Sequence, residues 1–154
     1  MKKLPSIFLR NEKRPNLNPP KFHYGWVLKD ANCVFEVAKE SNVQPHIIEL
    51  NQVVPKPEWV QDDTWMQEDA FDAVAKKLGL TGEPYLASVI CPGKPQGRAR
   101  MISLVENIAL KSGTVFHQDI DKLRECFGKY FEVDEGPMWY LDGYSWTWNS
   151  ARYH

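Results

Sequence analysis

The chain has 154 residues, of which 43% are hydrophobic and 12% aromatic, and its formal net charge at pH 7 is −1. A chain of this length has one core and buries roughly 68 to 70% of its unfolded surface. The near-zero charge excludes a polyanion mimic and a uniformly basic nucleic-acid binder. No run of ~20 apolar residues exists, and the short apolar start contains Pro5 and no cleavage site, so we expect neither a membrane span nor a signal peptide.

The three cysteines predict neither disulfides nor a metal site. Cys33, Cys91 and Cys126 lie far apart and form no CxxC or Cys/His pair. Free thiols are typical of a reducing compartment, so we predict a cytoplasmic protein. No motif in the chain indicates a cofactor.

The charges are unevenly distributed along the chain. Residues 1–21 carry a net charge of +5, residues 57–75 a net charge of −6, and residues 84–105 three cations without an acid. Two interpretations remain open. Oppositely charged segments face each other within the fold or across a homo-oligomer, or the basic segments contact an anionic partner.

The first part of the chain predicts an arm followed by strands. Residues 1–21 are rich in proline and asparagine, which favours an extended basic arm, with a single α+β domain over residues 22–154. Three runs rich in valine, isoleucine and aromatics predict an antiparallel meander. They cover residues 22–28, 33–38 and 46–54.

The middle of the chain predicts about three helices and a strand. Thr64 to Gln67 fits a capping box, and Phe71, Val74 and Leu78 fall on one helical stripe before Gly79. Residues 85–91 predict a strand. The spacing of Met101, Leu104, Val105 and Ile108 predicts a second helix, and residues 118–127 predict a third.

The last part of the chain predicts strands over residues 130–133, 138–141 and 144–148. Asp142-Gly143 is a strong two-residue hairpin signal and would place Trp139 opposite Trp146. We expect this aromatic face to cap the core, with a stacking platform for bases as the alternative. The fold class is therefore α+β, with antiparallel strands in the N-terminal third and a C-terminal hairpin.

Residues 92–100 resemble a loop that holds an anion. Gly93, Lys94, Gly97, Arg98 and Arg100 lie between a predicted strand and a predicted helix, where free backbone N–H groups bind phosphate. The spacing matches neither GxxxxGK[ST] nor GxGxxG. Either an external anion or the acidic segment 57–75 neutralises these cations.

One cluster of histidine and acids is a weak candidate for catalysis. His117 and Asp121 would share a helix face, which suits a divalent metal or a general base together with Asp119. The alternative is that these acids complement a helix N-terminus. No GxSxG or HExxH motif occurs.

The sequence favours a small intracellular binding protein. Its anionic partner, a nucleic acid or an acidic protein surface, would contact the 92–100 loop and the arm cations Arg10, Lys13 and Arg14. One alternative is a hydrolase or phosphoryl-transfer enzyme that uses His117 and Asp119 with the loop cations. Another is a homo-oligomer joined by complementary charged segments.

Overall fold

The computed structural model of the chain describes residues 1–9, 17–110, 120–133 and 135–150, with residues 149 and 150 described by their backbone alone. The described residues form an α+β fold with antiparallel sheets, which confirms the predicted class. The strands and helices in chain order are β1 (Leu17–Asn18), β2 (Phe22–Val27), α1 (Cys33–Glu40), β3 (His46–Glu49), β4 (Gln52–Pro55), α2 (Thr64–Lys77), β5 (Tyr85–Ile90), β6 (Arg98–Glu106), α3 (Ile120–Phe127), β7 (Met138–Leu141) and β8 (Asn149–Ser150). Within this part of the chain no helix has the length and apolar character needed to cross a bilayer.

The central sheet has four antiparallel strands in the order β5-β6-β2-β7. Its two edge strands approach each other at one end, where Asp142 forms a bridge with Val89 and the Gly143 N–H donates to Ser88 O at 2.8 Å. The register of β2 on β6 shifts at Gly25. A Cβ at Gly25 would lie 1.8 Å from Ile102 O, so only glycine fits this close approach.

The two faces of the sheet contact different clusters. One face packs on the three helices and contributes Trp26, Leu86, Ile102 and Leu104 to the main core. The other face forms a smaller cluster of Val27, Ala87, Val89 and Met101. Because successive side chains of a strand point to opposite faces, the central strands carry consecutive apolar residues, such as Trp26 and Val27 in β2 and Met101 and Ile102 in β6.

The helix predicted near Thr64 is present and begins one residue earlier than the capping box suggests. Asp63 is the N-cap, and its Oδ1 accepts from the Met66 N–H at 3.0 Å. Phe71 and Val74 are fully buried, as their stripe predicts. The third predicted helix is also present as α3.

The strand predicted over residues 33–38 is wrong, because this segment is helix α1. Its valines and Phe35 have high β propensity, but Val34, Val37 and Ala38 lie three and four residues apart and bury one helical stripe in the main core. Tertiary packing therefore overrides the local propensity.

The helix predicted around Met101 to Ile108 is wrong as well. Residues 98–106 form β6, which pairs with β5 on one side and β2 on the other. Met101 and Ile102 are both buried, on opposite faces of the sheet. A strand buried on both faces can carry apolar side chains at consecutive positions, so the helical spacing of these residues is coincidental.

The hairpin predicted at Asp142-Gly143 does not form. Strand β7 pairs with β2, with Leu141 opposite Phe22, and residues 144–148 form no strand. A different hairpin exists where a single strand was predicted, since β3 and β4 turn at Leu50 and Asn51. Residues 130–133 contribute one isolated bridge, between Phe131 and Leu28, and no strand.

Candidate functional site

The 92–97 segment is the turn of the β5–β6 hairpin. Cys91 N–H donates to Gly97 O at 2.8 Å, and Gln96 and Gly97 both have positive φ, at 61° and 69°. Because a strand follows this turn, the predicted helix start is absent, and with it the array of free N–H groups that would bind an anion. Gly93 lies exposed in the same turn.

Two of the three loop cations are paired within the chain. Lys94 Nζ lies 2.6 Å from Glu132 Oε2, and Arg100 Nη2 lies 2.7 Å from Glu68 Oε1. Glu68 belongs to the acidic segment 57–75. The Arg100 contact is therefore the kind of pairing expected if this segment, and not an external anion, neutralises the loop cations. The buried Nε of Arg100 has no hydrogen-bond partner among the residues that the structure describes.

The third cation, Arg98, is exposed and bonded differently. Its Nε and Nη2 atoms donate to Gly143 O at 3.2 and 3.0 Å, and its guanidinium lies 5.3 Å from the ring centroid of Tyr144. No carboxylate among the described residues forms an ion pair with it. Arg98 therefore presents a positive charge beside an aromatic ring.

The residues that follow Gly143 expose an unusual amount of aromatic surface. We call residues 144–148 the aromatic tail. In it Tyr144 is 76% exposed and Trp146 51% exposed, and Trp148 is also exposed. Aromatic residues thus occupy every second position, with Ser145 and Thr147 between them.

The aromatic tail is anchored on the N-terminal part of the chain. Lys21 N–H donates to Ser145 O at 2.8 Å, the ring of Phe8 lies 6.3 Å from that of Trp148, and β1 pairs with β8. Arg10, Lys13 and Arg14 lie outside the described residues. In the sequence they precede Leu17, the first residue of β1.

A buried polar network lies where the tail leaves the sheet. His23 Nε2 lies 2.7 Å from Asp142 Oδ2, and His23 Nδ1 lies 2.9 Å from Ser103 Oγ. The Tyr85 hydroxyl lies 3.3 Å from the same Nδ1 and donates to Glu106. Oδ1 of Asp142 accepts the backbone N–H groups of residues 144 and 145 at 2.8 and 2.6 Å, which orients the start of the aromatic tail.

The ionisation states of this network follow from burial and bonding. Burial lowers the pKa of His23 and outweighs the opposing effect of Asp142. Burial alone would raise the pKa of Asp142, but hydrogen bonds from Ser145 N–H, His23 and Tyr144 N–H lower it. A neutral ring that donates from Nε2 to the carboxylate leaves Nδ1 free to accept the Ser103 hydroxyl.

This serine–histidine–aspartate set is a buried structural link in the described structure. A hydroxyl that donates to a histidine held by a carboxylate has the polarity of an activated nucleophile. Ser103 and His23 are each only 1% exposed, however, so no substrate reaches either group. The set fixes the position of Asp142, and through it the tail.

Two of the three catalytic candidates from the sequence cannot be placed in the described structure. His117 and Asp119 lie outside the described residues, and Asp121 is exposed in the first turn of α3. Within the described ranges no three metal-ligating side chains form a group. The enzyme hypothesis and the homo-oligomer hypothesis both stay predictions.

Sequence reasoning missed the network and most of the exposed aromatic surface. His23 has no acidic neighbour in the sequence, Ser103 fell in a predicted helix, and Asp142 was assigned to a turn. No local pattern joins residues that far apart. No protein-family model, no curated protein and no solved structure matches this chain.

Proposed function

We propose that the protein binds single-stranded nucleic acid through Arg98 and the aromatic tail. The observation that carries this proposal is the guanidinium of the exposed residue Arg98 over the exposed ring of Tyr144, with no carboxylate of the described residues paired to it. Proteins that bind single strands combine cations that follow the phosphates with aromatic rings on which bases stack.

The tail supplies stacking surface and its surroundings supply charge. Each base stacked on an aromatic ring contributes about 1 to 3 kcal/mol, whatever its identity. The exposed part of Trp146 contributes no hydrophobic stabilisation to the fold, whereas its burial against a bound base would be favourable. In the sequence the arm cations Arg10, Lys13 and Arg14 precede β1, which pairs with β8 directly after the tail, and this supports a second set of phosphate contacts.

An acidic protein surface is the less favoured anionic partner. Such a surface is satisfied by cations alone and gives no reason for three exposed aromatic residues in one short segment. Lys94 and Arg100 are already paired with carboxylates, so neither is assigned a phosphate contact in this proposal. The three cysteines are free thiols, which supports the proposed intracellular location.

The test is the fluorescence anisotropy of a labelled single-stranded oligonucleotide, titrated at several salt concentrations. We expect Trp146→Ala to weaken binding about thirtyfold, which corresponds to about 2 kcal/mol, the middle of the range for one stacked base. Arg98→Gln should lower the salt slope by about 0.7 if one phosphate contact is lost. Lys76→Ala removes an exposed cation at the far end of α2 and is the matched control.

Three outcomes would contradict the proposal. The oligonucleotide does not bind, Trp146→Ala binds as tightly as the wild type, or polyglutamate competes as well as the oligonucleotide does. The last result would indicate an acidic protein partner. Thermal denaturation of each variant checks that a change in binding does not come from unfolding.

A further inference from the structure

The β3–β4 hairpin and the start of α2 expose large apolar side chains on ordered secondary structure. Leu50, at the tip of the hairpin, is 96% exposed, and Trp65, in the first turn of α2, is 79% exposed. Ile48 and Val53 are exposed as well. Isolated exposed apolar residues are ordinary, but a group of them on neighbouring elements marks an interaction site.

Neither packing nor backbone preference explains why residue 50 is a leucine. Leu50 and Asn51 have φ of 49° and 61°, which is the pattern of a type I′ turn. Such turns favour asparagine or glycine at both central positions, because other residues are strained at positive φ. A leucine that is strained and almost fully exposed contributes nothing evident to the fold.

The exposed residues lie on two elements that contact each other. Ile48 and Val53 are paired across the hairpin, and since Ile47 packs towards the main core, this pair points away from it. The Ile48 N–H donates to Asp69 Oδ2 at 2.9 Å, which joins the hairpin to α2. Trp65 lies four residues before Asp69, one helical turn away on the same face.

This hairpin–helix surface, defined by Ile48, Leu50, Val53, Trp65 and Asp69, lies in acidic surroundings. Glu49 is next to the hairpin tip, and residues 57–75 contain six acids and no cation. Burial raises the pKa of Asp72, and the nearby carboxylates Asp69 and Glu68 raise it further. Crowded negative charge around exposed apolar side chains is complementary to a partner that is both basic and apolar.

We propose that the hairpin–helix surface docks an amphipathic polypeptide segment rich in lysine or arginine. Leu50 and Trp65 are its apolar contacts, and the carboxylates around them select the cations. Side chains carry the contact, because Pro55 removes a backbone donor from the short β4 edge and so disfavours strand addition. This surface does not include Arg98 or the aromatic tail, so the inference does not depend on nucleic-acid binding.

The test uses the full chain and two synthetic peptides, an amphipathic peptide of leucine and lysine and its counterpart with glutamate in place of lysine. Isothermal titration calorimetry should detect the lysine peptide and not the glutamate peptide. Trp65→Ala and Leu50→Asn should each weaken binding about tenfold or more, as truncation of a central interface residue does. Ile7→Ala is the matched control, since Ile7 is as exposed as Val53 but lies in the N-terminal segment.

Leu50→Asn also separates binding from stability. Asparagine suits the type I′ turn, so this variant should be at least as stable to urea as the wild type while it binds the peptide less well. Equal binding of the two peptides, no binding of either, or binding unchanged by both substitutions would overturn the proposal. A dimer in sedimentation velocity that Leu50→Asn dissociates would also overturn it, because a second copy of the chain would then occupy the surface.

Discussion

The imidazole Nε2 of His23 lies 2.7 Å from a carboxylate oxygen of Asp142, although the two residues are 119 positions apart. This bond joins β2 to the end of β7 inside the protein. Asp142 accepts two backbone N–H groups through its other oxygen. One side chain therefore connects the sheet to the aromatic tail.

Substitutions of Asp142 should separate these two functions of its side chain. Asp142→Asn keeps an oxygen for the backbone donors but loses the charge that His23 binds, and we expect it to lower the free energy of unfolding by about 1 to 3 kcal/mol. Asp142→Ala also removes the backbone contacts and should cost more. Urea denaturation measures both, and equal losses would show that the backbone contacts contribute nothing.

The buried histidine predicts a loss of stability in mild acid. The pKa of His23 in the folded protein is below its ordinary value of 6.5. Between these two values the unfolded chain binds more protons than the folded protein, so stability falls as the pH drops below about 6.5. The lowered pKa of Asp142 predicts a second loss, at pH values below its ordinary 3.8.

Urea denaturation at about pH 8 and about pH 5 tests the first of these losses. His23→Gln has no imidazole to protonate and should show a smaller decrease over this range. If the wild type and this variant lose the same free energy of unfolding, titration of His23 does not cause the acid sensitivity.

Gly25→Ala should destabilise the protein strongly. The added methyl group would lie 1.8 Å from Ile102 O, a backbone atom that cannot move without breaking the β2–β6 pairing. We expect a loss of about 4 kcal/mol or more, which is exceptional for one methyl group. Gly93→Ala is the control, since nothing lies within 4 Å of its added Cβ; thermal melts of the two variants give the comparison.

Trp139 and Trp146, which the predicted hairpin would place opposite each other, should differ in their effect on stability. Trp139 is buried and its ring lies 5.1 Å from that of Tyr24, so Trp139→Ala should cost about 3 to 5 kcal/mol. Trp146 is half exposed, and Trp146→Ala should cost about 1 kcal/mol or less. Equal losses in guanidinium denaturation would mean that Trp146 is packed as tightly as Trp139.

Arg100→Ala should affect stability and leave oligonucleotide binding unchanged. Loss of the partly buried contact with Glu68 should cost about 1 kcal/mol. Substitution of the exposed Arg98 should instead weaken oligonucleotide binding and leave stability nearly unchanged. A denaturation curve and a salt titration on both variants would show whether the two arginines have these separate functions.

Local patterns predict the elements whose residues determine their own conformation. Helix α2 has a capping residue, a stripe through Phe71 and Val74 and a terminal glycine, all within one segment. Strand β6 and helix α1 are each predicted as the opposite type, because eight or nine residues with several apolar side chains fit the spacing of a helix and of a strand. Their conformations depend on neighbours from other parts of the chain, which a single sequence does not reveal.

The sequence likewise shows which residues of the candidate site are adjacent in the chain, but not which distant residues they contact. Lys94, Arg98 and Arg100 are adjacent and stand out as a basic loop, but the sequence does not show that Glu132 and Glu68 pair with two of them. Tyr144 lies under Arg98 only because Asp142 forms a bridge with Val89 rather than a hairpin turn. Contacts of this range follow from the sheet order, which local spacing cannot predict.

The position of β2 inside the sheet has a consequence for biosynthesis. Trp26 and Val27 leave the ribosome well before their partners, because the strands on either side of β2 begin only at Arg98 and Met138. The apolar faces of β2 therefore stay unpaired until those strands emerge, and closure of such long loops makes folding slow. A nascent chain of this kind completes its central sheet only after β7 has been synthesised, and an unpaired apolar strand is prone to aggregation until then.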